Sequence, residues 1–453
     1  MPVKKISHKQ AYIVTVDMGY GHQRAVYPMQ AIAAPLDGVG APDGIITANA
    51  YAGIPKSDRQ VWERARVWYE RISRLKRIPI IGDMAFGLMD YTQRIEPFYP
   101  RRDLSASTWQ LREQYRLIRN GWGKDLVNRL NAHPKPLIVS FPTIAFFAEE
   151  HGYKGEIYCI CTDTDVNRAW APVYPRQSRI SYLVPNRRVK ERMMLYGIKP
   201  EHLFVTGFPL PKENIGEDLD ILKRSLGCRI GNLDPELRYQ RKYQHNLEYY
   251  LGARYCNLKS GHPLTITFAV GGAGAQQDIG VTILQSLHSL IDRGLIRLNL
   301  VAGIRQDVYR FYESAVRELH MAKKHRGNIQ ILYCDSKTEY FERFNQLLLT
   351  TDILWTKPSE LAFYAGLGLP IIMAPAIGSQ EDFNCQWLLS IGAGFKSEDP
   401  RYAHEWLPDW LASGWLAEAA MNGFMNAPRK GAYHVETVVL AHKRSEIEDV
   451  HLL

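Results

Sequence analysis

The chain has 453 residues, a hydrophobic share of 46%, a charged share of 23% and a formal net charge of +9, which is the composition of an ordinary globular protein. A single domain rarely reaches this length, so we expect two domains of about 200 residues and a tail. The sequence contains no apolar run of 18 residues and no nucleic-acid recognition motif, which argues against a membrane-spanning helix and against nucleic acid as a partner. The six cysteines form no Cys-x-x-Cys pair, as expected for reduced, buried thiols in a cytoplasmic protein.

The first predicted unit is a strand, a glycine-containing turn and a helix. Residues 11–16 form an apolar run that suits a buried strand and is too short for the core of a signal peptide. Gly19, Gly21 and His22 follow it, and residues 26–34 have a helical pattern. Such a unit opens a Rossmann-like half. Taken alone, the turn is equally compatible with a tight loop whose histidine caps a helix.

A second strand is predicted at 44–50, and a basic segment at 54–124 follows it. This segment contains fifteen Lys or Arg and eight Asp or Glu. Its first part has an apolar stripe at helical spacing and flanking arginines, comprising Val61, Ala65, Trp68, Ile72 and Leu75 with Arg64, Arg66, Arg71, Arg74 and Arg77. A helix of this kind either docks on its own domain or lies on an anionic membrane surface, and both alternatives remain open.

Further strands complete the first half, at 137–140, 157–161, 180–184 and 203–206. The strand at 157–161 ends in Asp163, Asp165 and Asn167. Carboxylates at the carboxyl end of a parallel strand face the ligand crevice, so Asp163 is a candidate for orienting His22 or contacting an acceptor hydroxyl. The alternative is a pair of Asx turns without a catalytic role.

A second half begins after an irregular, tyrosine-rich segment, 209–263, to which we assign no function. It opens with a strand at 264–270, and the turn into the next helix contains Gly271, Gly272, Gly274 and Gln276. Consecutive glycines between a strand and a helix let backbone N–H groups and the helix dipole bind a phosphate. No Gly-x-x-x-x-Gly-Lys-Ser/Thr pattern is present, so a P-loop is not predicted.

The most informative stretch is 352–394. A strand at 353–355 precedes a predicted helix with Ser359 as its N-cap, and a buried strand follows at 370–374. Loops at the carboxyl ends of such strands line the ligand crevice of α/β proteins. Here those loops hold six polar residues: Lys357, Ser359, Glu360, Gln380, Glu381 and Asn384. We therefore predict a ligand site at this edge.

This stretch resembles the C-terminal module of GT-B glycosyltransferases. The resemblance lies in Thr-Lys-Pro at 356–358, Gly-Leu-Gly-Leu-Pro at 366–370 and Gln-Glu-x-x-Asn at 380–384. It is to the branch that holds monogalactosyldiacylglycerol synthase, the processive diacylglycerol glucosyltransferases and the N-acetylglucosaminyltransferase of peptidoglycan lipid intermediates. Ser359 departs from the family pattern, which has a glycine there, and Phe363 stands where the family has a ribose-binding glutamate.

Two other motifs resemble the same family. Gly19, Gly21, His22 and Ala25 are similar to its GGGHxxxA motif, and the glycine run after 270 is similar to its GGSxG loop. The resemblance implies an α/β fold with two Rossmann-like domains that face each other across a cleft. It implies four parts: an acceptor-side domain at 1–208 with the basic insertion 54–124, a linker or insertion at 209–263, a nucleotide-sugar-binding domain at 264–400, and helices at 401–453 that cross back to the first domain.

The implied activity is transfer of a hexosyl group from a UDP-sugar to an acceptor hydroxyl, with inversion. The resemblance makes His22 the general base and Asp163 its partner, with Gly19, Gly21 and Asn167 on the acceptor side. The donor-binding set is Gly271, Gly272, Gly274, Gln276, Lys357, Ser359, Glu360, Gln380, Glu381 and Asn384, in which Glu360 would replace the glutamate missing at Phe363. Two alternatives remain: a UDP-sugar 2-epimerase of the same fold, using carboxylates among Asp17, Asp163 and Asp165, and a non-catalytic protein that binds a nucleotide sugar or a lipid.

We predict no metal and no cofactor besides the UDP-sugar, which is a substrate. His320 and His325 do not have the spacing that places two metal ligands on one helix face. The expected partners are a nucleotide-sugar donor, a lipid or sugar acceptor and an anionic membrane surface, without nucleic acid. The expected location is the cytoplasm, with the inner face of the membrane as the alternative.

Overall fold

The computed structural model describes residues 10–39, 43–75, 94–256, 258–269, 271, 274, 276–319, 327–376 and 379–441, with backbone only for 66–75 and 379. The chain divides into two compact units. Unit 1 contains the chain up to Pro209, the chain from Lys430 onward and 378–380; unit 2 contains Leu210–Ile377 and Glu381–Arg429. Each unit has its own six-stranded sheet, so the prediction of two Rossmann-like α/β domains is confirmed.

The sheet of unit 1 is wholly parallel, with the order β2-β1-β3-β4-β5-β6. Its strands are β1 Tyr12–Thr15, β2 Ile45–Thr47, β3 Leu137–Val139, β4 Ile157–Ile160, β5 Ser181–Val184 and β6 Leu203–Val205. β2 lies on one side of β1 and β3 on the other, so the side on which successive strands are added switches at β1 while all strands stay parallel. We call the place between β1 and β3 the chain reversal. In parallel α/β sheets, ligands bind outside the carboxyl ends of the strands at such a reversal.

Helices cover this sheet, and their ends follow local sequence signals. The helices of the unit are Gly21–Val26, Lys56–Leu75, Trp109–Arg119, Lys124–Leu130, Pro142–Glu150, Arg187–Leu195 and Gly431–Ala441. Thr108 caps Trp109–Arg119 by accepting a hydrogen bond from the backbone N–H of Leu111 at 3.3 Å, and Asn186 caps Arg187–Leu195 through Val189 at 2.8 Å. Such caps satisfy N–H groups that have no partner inside the helix.

The basic segment contributes the long helix Lys56–Leu75, whose first turns pack on unit 1 itself. Trp62 is 5% exposed and its ring centroid lies 4.9 Å from that of Trp122. The buried carboxylate of Asp58 accepts a hydrogen bond from the backbone N–H of Gly123 at 3.0 Å. The expected stripe is wrong at Ala65, which is exposed, whereas Asp58 and Trp62 on the same helix are buried. Trp68, Ile72, Leu75, Arg66, Arg71, Arg74 and Arg77 lie outside the side chains that the structure describes.

The sheet of unit 2 is also wholly parallel, with the order β12-β11-β10-β7-β8-β9. Its strands are β7 Leu264–Ala269, β8 Ile296–Gly303, β9 Ile329–Tyr333, β10 Ile353–Thr356, β11 Ile371–Met373 and β12 Gly394–Lys396. Counted within the unit, this order is 3-2-1-4-5-6 read from the β9 edge, which is the order of a Rossmann fold. The reversal lies between β7 and β10.

Ten α-helices of unit 2 lie among the described residues. They are Asp220–Leu233, Arg238–Lys242, Gln244–Leu251, Gln277–Ser286, His288–Asp292, Gln306–Glu318, Lys337–Leu348, Ser379–Ser390, Ala403–Ser413 and Trp415–Asn426. The last described helix, Gly431–Ala441, lies in unit 1, where the ring Nδ1 of His434 is 3.0 Å from the carbonyl oxygen of Thr206. Among the described helices, none is both long enough and apolar enough to span a membrane.

The tyrosine-rich segment supports the amino-terminal edge of the unit 2 sheet. Arg229, on helix Asp220–Leu233, is 3% exposed and donates to the carbonyl oxygens of Thr351 and Leu367, each at 2.8 Å. Asp352 is 2% exposed and accepts hydrogen bonds from Asn232 and from the backbone N–H of Thr265, each at 2.8 Å. Since this edge is opposite the carboxyl ends of the strands, the segment stabilises the sheet without entering the expected ligand edge.

Candidate functional site

The carboxyl end of β7 carries a glycine turn that holds a lysine against it. A Cβ atom at Gly271 would lie 2.7 Å from Cε of Lys357, closer than carbon atoms approach without displacement, so only glycine lets the lysine lie here. Gly274 has φ of +69°, a backbone conformation that favours glycine, and its N–H donates to the carbonyl oxygen of Gly271 at 2.8 Å. Gly272 lies outside the described residues. The turn is therefore a compact backbone loop with a cation beside it.

Lys357 follows β10, the neighbour of β7 at the chain reversal. Its ammonium group pairs with the carboxylate of Glu381, on helix Ser379–Ser390. Asn384, on the same helix, is fully buried and donates to the carbonyl oxygen of Pro358 at 3.2 Å. The Gln-Glu-x-x-Asn motif therefore holds the Lys-Pro loop in place, with Glu381 on the cation and Asn384 on the backbone.

The segment after Pro358 differs from the predicted α-helix. Glu360–Leu367 is a 3-10 helix, and the side chain of Ser359 makes no cap hydrogen bond, so that part of the prediction is wrong. Phe363 is 3% exposed, and its ring centroid lies 5.3 Å from that of Trp387. It is thus a core residue in this chain, while Glu360 at the start of the 3-10 helix is half-buried.

Two glutamines flank the turn. Gln276 has φ of +67° directly before helix Gln277–Ser286, and its Nε2 donates to the carbonyl oxygen of Pro375 at 2.8 Å. This bond connects the turn after β7 to the loop after β11. Gln380 is the second residue of helix Ser379–Ser390 and is half-buried. The predicted donor-binding role of both residues stays a prediction.

In unit 1, His22 lies at the reversal between β1 and β3. It is the second residue of helix Gly21–Val26, and its Nδ1 is 2.7 Å from the carbonyl oxygen of Ser140, the residue that follows β3. A carbonyl oxygen can only accept, so Nδ1 carries the proton and Nε2 is the basic nitrogen of the neutral ring. The ring meets Phe141 edge-on with centroids 4.9 Å apart. The arrangement fixes the ring orientation and the tautomer.

The two glycines before His22 have different conformations. Gly19 has φ of +92° and is exposed, and a Cβ there would meet nothing within 4 Å. Its backbone conformation, rather than crowding, is what favours glycine. Gly21 begins the helix and is half-buried. Sequence reasoning did not find Ser140 and Phe141, although their position directly after β3 was a usable signal.

Asp165 is a structural residue, and its candidacy as an active-site carboxylate is wrong. It is 1% exposed and accepts hydrogen bonds from Nε and Nη2 of Arg192, each at 2.9 Å, and from Nε of Arg188 at 3.1 Å. Both arginines come from helix Arg187–Leu195, which follows β5. Both carboxylate oxygens of Asp165 are therefore occupied by guanidinium groups.

The neighbouring polar residues divide between structure and candidate chemistry. Asn167 caps a short 3-10 helix by accepting from the N–H of Ala169 at 3.1 Å, so one of its groups serves the backbone. Asp163 is half-buried, and its charge adds to the effect of burial in raising the pKa of the Cys161 thiol. Its proposed contact with His22 stays a prediction.

The described residues contain no group of three or more His, Cys, Asp or Glu that could hold a metal ion. His320 and His325 lie outside the part of the chain that the structure describes. All six cysteines are free thiols.

No protein-family model and no curated protein matches this sequence. Among solved structures, S. aureus MnaA with UDP has a TM-score of 0.47 and 10% identity, over 96% of this chain and 96% of that chain. MurG from Acinetobacter baumannii has 0.45 and 11%, over 95% and 99% of the two chains. UDP-GlcNAc 2-epimerase from Neisseria meningitidis bound to UDP-GlcNAc has 0.42 and 13%, over 80% and 89%. The likeness concerns the fold alone, and the strand order of the two sheets gives this chain the two Rossmann-like domains of the GT-B architecture.

Proposed function

We propose that unit 2 binds a UDP-sugar and that the protein transfers its hexosyl group to an acceptor hydroxyl. The observation that supports this most is the glycine turn after β7 with Lys357 against Gly271. An ammonium group and the start of helix Gln277–Ser286 then lie beside this turn, where the chain reverses in a Rossmann sheet. That combination suits the phosphates of a nucleotide, and it can stabilise the charge that develops on a leaving diphosphate.

His22 is the proposed general base. Its Nδ1–H···O contact with Ser140 leaves Nε2 as the nitrogen that can take the proton of the acceptor hydroxyl. A general base must offer an unprotonated nitrogen to the hydroxyl, and in this tautomer that nitrogen is Nε2. Attack by the activated hydroxyl on the anomeric carbon, with UDP leaving, would invert the configuration at that carbon.

Two other functions remain as alternatives, and a different residue bears on each of them. A UDP-sugar 2-epimerase needs a carboxylate for proton abstraction; of the three candidates, Asp165 is committed to Arg188 and Arg192, which leaves Asp17 and Asp163. A nucleotide-sugar-binding protein without transferase activity is favoured by Phe363, which is buried against Trp387 where the resembling family has its ribose-binding glutamate. We therefore rank the binding protein as the second candidate.

The acceptor and the place of action are proposals of the same kind. A lipid-linked acceptor would fit a protein that works on the inner face of a membrane, and a soluble sugar acceptor would fit one that stays in the cytoplasm. The basic segment is the part of the chain that would meet anionic lipid. In its described part, Trp62 and Asp58 are buried within unit 1, whereas Arg59 and Arg64 are exposed.

Incubation with radiolabelled UDP-glucose, UDP-galactose and UDP-GlcNAc, with and without a lipid extract, separates the three functions. Transfer of label to lipid or to an added sugar supports the transferase. Conversion of the UDP-sugar without any acceptor indicates an epimerase. Saturable binding with neither reaction indicates the binding protein.

The glycine turn itself is tested by Gly271→Ala with Gly261→Ala as the matched control. The new Cβ at 271 would displace the flexible end of Lys357, while a Cβ at 261 would meet nothing within 4 Å. UDP at a hundred times its Kd stabilises a native protein by about 2.7 kcal/mol, so wild type and Gly261→Ala should show a clear rise in melting temperature. We expect Gly271→Ala to fold and to lose most of that rise. An equal rise in all three proteins would contradict a diphosphate at this turn.

A further inference from the structure

A second cation lies on the other side of the glycine turn. Arg305 follows β8, the strand next to β7 on the side away from β10. A Cβ atom at Gly274 would lie 3.7 Å from both Cζ and Nη2 of Arg305. Lys357 lies against Gly271 at the other end of the same turn. The turn is therefore flanked by one cation from each of the two strands that border β7.

The local structure fixes the place of this guanidinium. Arg305 is the residue before helix Gln306–Glu318, and its N–H donates to the carbonyl oxygen of Ala302 at 3.2 Å. Its Nε and Nη2 donate to the two carboxylate oxygens of Asp307 at 2.9 and 2.6 Å. This bidentate pair lowers the pKa of Asp307 through those hydrogen bonds. The plane of the guanidinium is thus set by a carboxylate two residues away.

We propose that Arg305 is a binding residue for the diphosphate of the donor, with Asp307 as the positioning residue that orients it. The inference rests on the proposed function and adds which cations face the negative charges of the diphosphate. A diphosphate carries its charge on two phosphoryl groups, and a cation at each end of the turn provides one partner for each. Lys357 provides a compact ammonium group, whereas Arg305 provides a planar guanidinium with five N–H donors, two of which donate to Asp307.

The pattern of cations also defines the ligand class. A nucleoside monophosphate has one phosphoryl group and can engage only one of the two cations fully. Arg305 should therefore contribute more to binding of a nucleoside diphosphate than of the monophosphate with the same base. The resemblance to known glycosyltransferases did not identify this residue, because it lies outside the motifs that carry the resemblance.

Arg305→Gln tests the inference, with Arg310→Gln as the matched control. Arg310 is an exposed residue of helix Gln306–Glu318, which Arg305 directly precedes, so its replacement removes the same charge from the same part of the unit. The dissociation constants of UDP and UMP are measured by calorimetry for wild type and both variants, and melting temperatures without ligand confirm that all are folded. A charge-assisted hydrogen bond corresponds to about a ten- to hundredfold change in affinity.

We expect Arg305→Gln to weaken UDP binding by that factor, to weaken UMP binding much less, and to leave the ligand-free melting temperature near that of wild type. Arg310→Gln should bind UDP as wild type does. UDP binding by Arg305→Gln within twofold of wild type would overturn the role of Arg305 and leave the proposed function intact. Equal losses in both variants would also overturn it, since they would indicate only a general effect of charge. UDP binding that depends on Arg305 in a protein with no transfer activity would support the inference and reject the transferase, and a wild type that binds no UDP would reject both.

Discussion

Replacing Asp165 should destabilise unit 1 strongly, because the substitution leaves a buried cation without its partner. The carboxylate accepts two hydrogen bonds from Arg192, which is fully buried, and one from Arg188. Nη1 of Arg192 is buried without a hydrogen-bond partner within the described structure, so no other group takes over the charge. Removing one partner of such a pair costs about 3–5 kcal/mol. We expect Asp165→Ala to lower the free energy of unfolding by this amount, measured by urea denaturation with tryptophan fluorescence.

Two further variants separate this explanation from general sensitivity of the helix. The double variant Asp165→Leu with Arg192→Met should recover most of the loss, because an apolar pair can replace a buried ion pair. Glu191→Gln, which weakens the partly exposed pairs of Glu191 with Arg187 on the same helix and with Arg101, should change stability by less than about 1 kcal/mol. Our reasoning would be refuted by an Asp165→Ala protein of wild-type stability that has lost turnover, since Asp165 would then act in the chemistry.

Three other predictions concern the base, a buried acid and the basic helix. His22→Ala should lower turnover by about a hundred- to ten-thousandfold with UDP affinity unchanged, and the acidic limb of the pH–rate profile should vanish; full turnover in this variant would reject the role. Burial raises the pKa of Asp352 to about 6, above the value of about 4 for an exposed aspartate. The protonated carboxyl therefore stabilises the fold at low pH, and this stabilisation, about 3 kcal/mol, is lost as the pH rises from about 4 to 6. Asp352→Asn should therefore not lose stability at pH 7 and should lack that fall in urea titrations at several pH values; a variant with the wild-type fall would mean that another group titrates. Replacing Arg71, Arg74 and Arg77 with Gln should weaken salt-sensitive binding to anionic vesicles in a sedimentation assay, by about 1 kcal/mol per residue, whereas absent or unchanged binding would favour a helix that only docks on its own domain.

The sequence determined the positions of most strands and of the loops that carry polar residues. Parallel strands buried on both faces read as continuous apolar runs, which is why β1, β3, β4, β7 and β10 were predicted close to where they lie. Because loops at the carboxyl ends of such strands meet at one edge, Lys357 could be assigned to a site near Gly271 although the two are far apart in the chain. Local sequence patterns were sufficient for these predictions, because the positions of strands and polar loops depend only on hydrophobic periodicity and composition.

The sequence was less informative where tertiary packing sets the conformation. Gly368 closes the segment after Pro358 with φ of +64°, and a Cβ there would lie 2.8 Å from Leu226. Packing against the tyrosine-rich segment is therefore tight at this point, and the 3-10 helix Glu360–Leu367 forms where propensity predicted an α-helix. The role of the segment itself was invisible for the same reason, since Arg229 bonds to carbonyl groups more than a hundred residues away.

Only the tertiary structure decided which role each polar side chain has, structural or chemical. Asp163 and Asp165 are two residues apart at the end of one strand, and no sequence rule distinguishes them. The structure commits Asp165 to Arg192, 27 positions later, and it fixes the tautomer of His22 through the carbonyl group of Ser140, 118 positions later. Long-range partners set protonation and orientation because a charge or a ring nitrogen responds to whichever group lies within hydrogen-bond distance, and the fold alone brings those groups together.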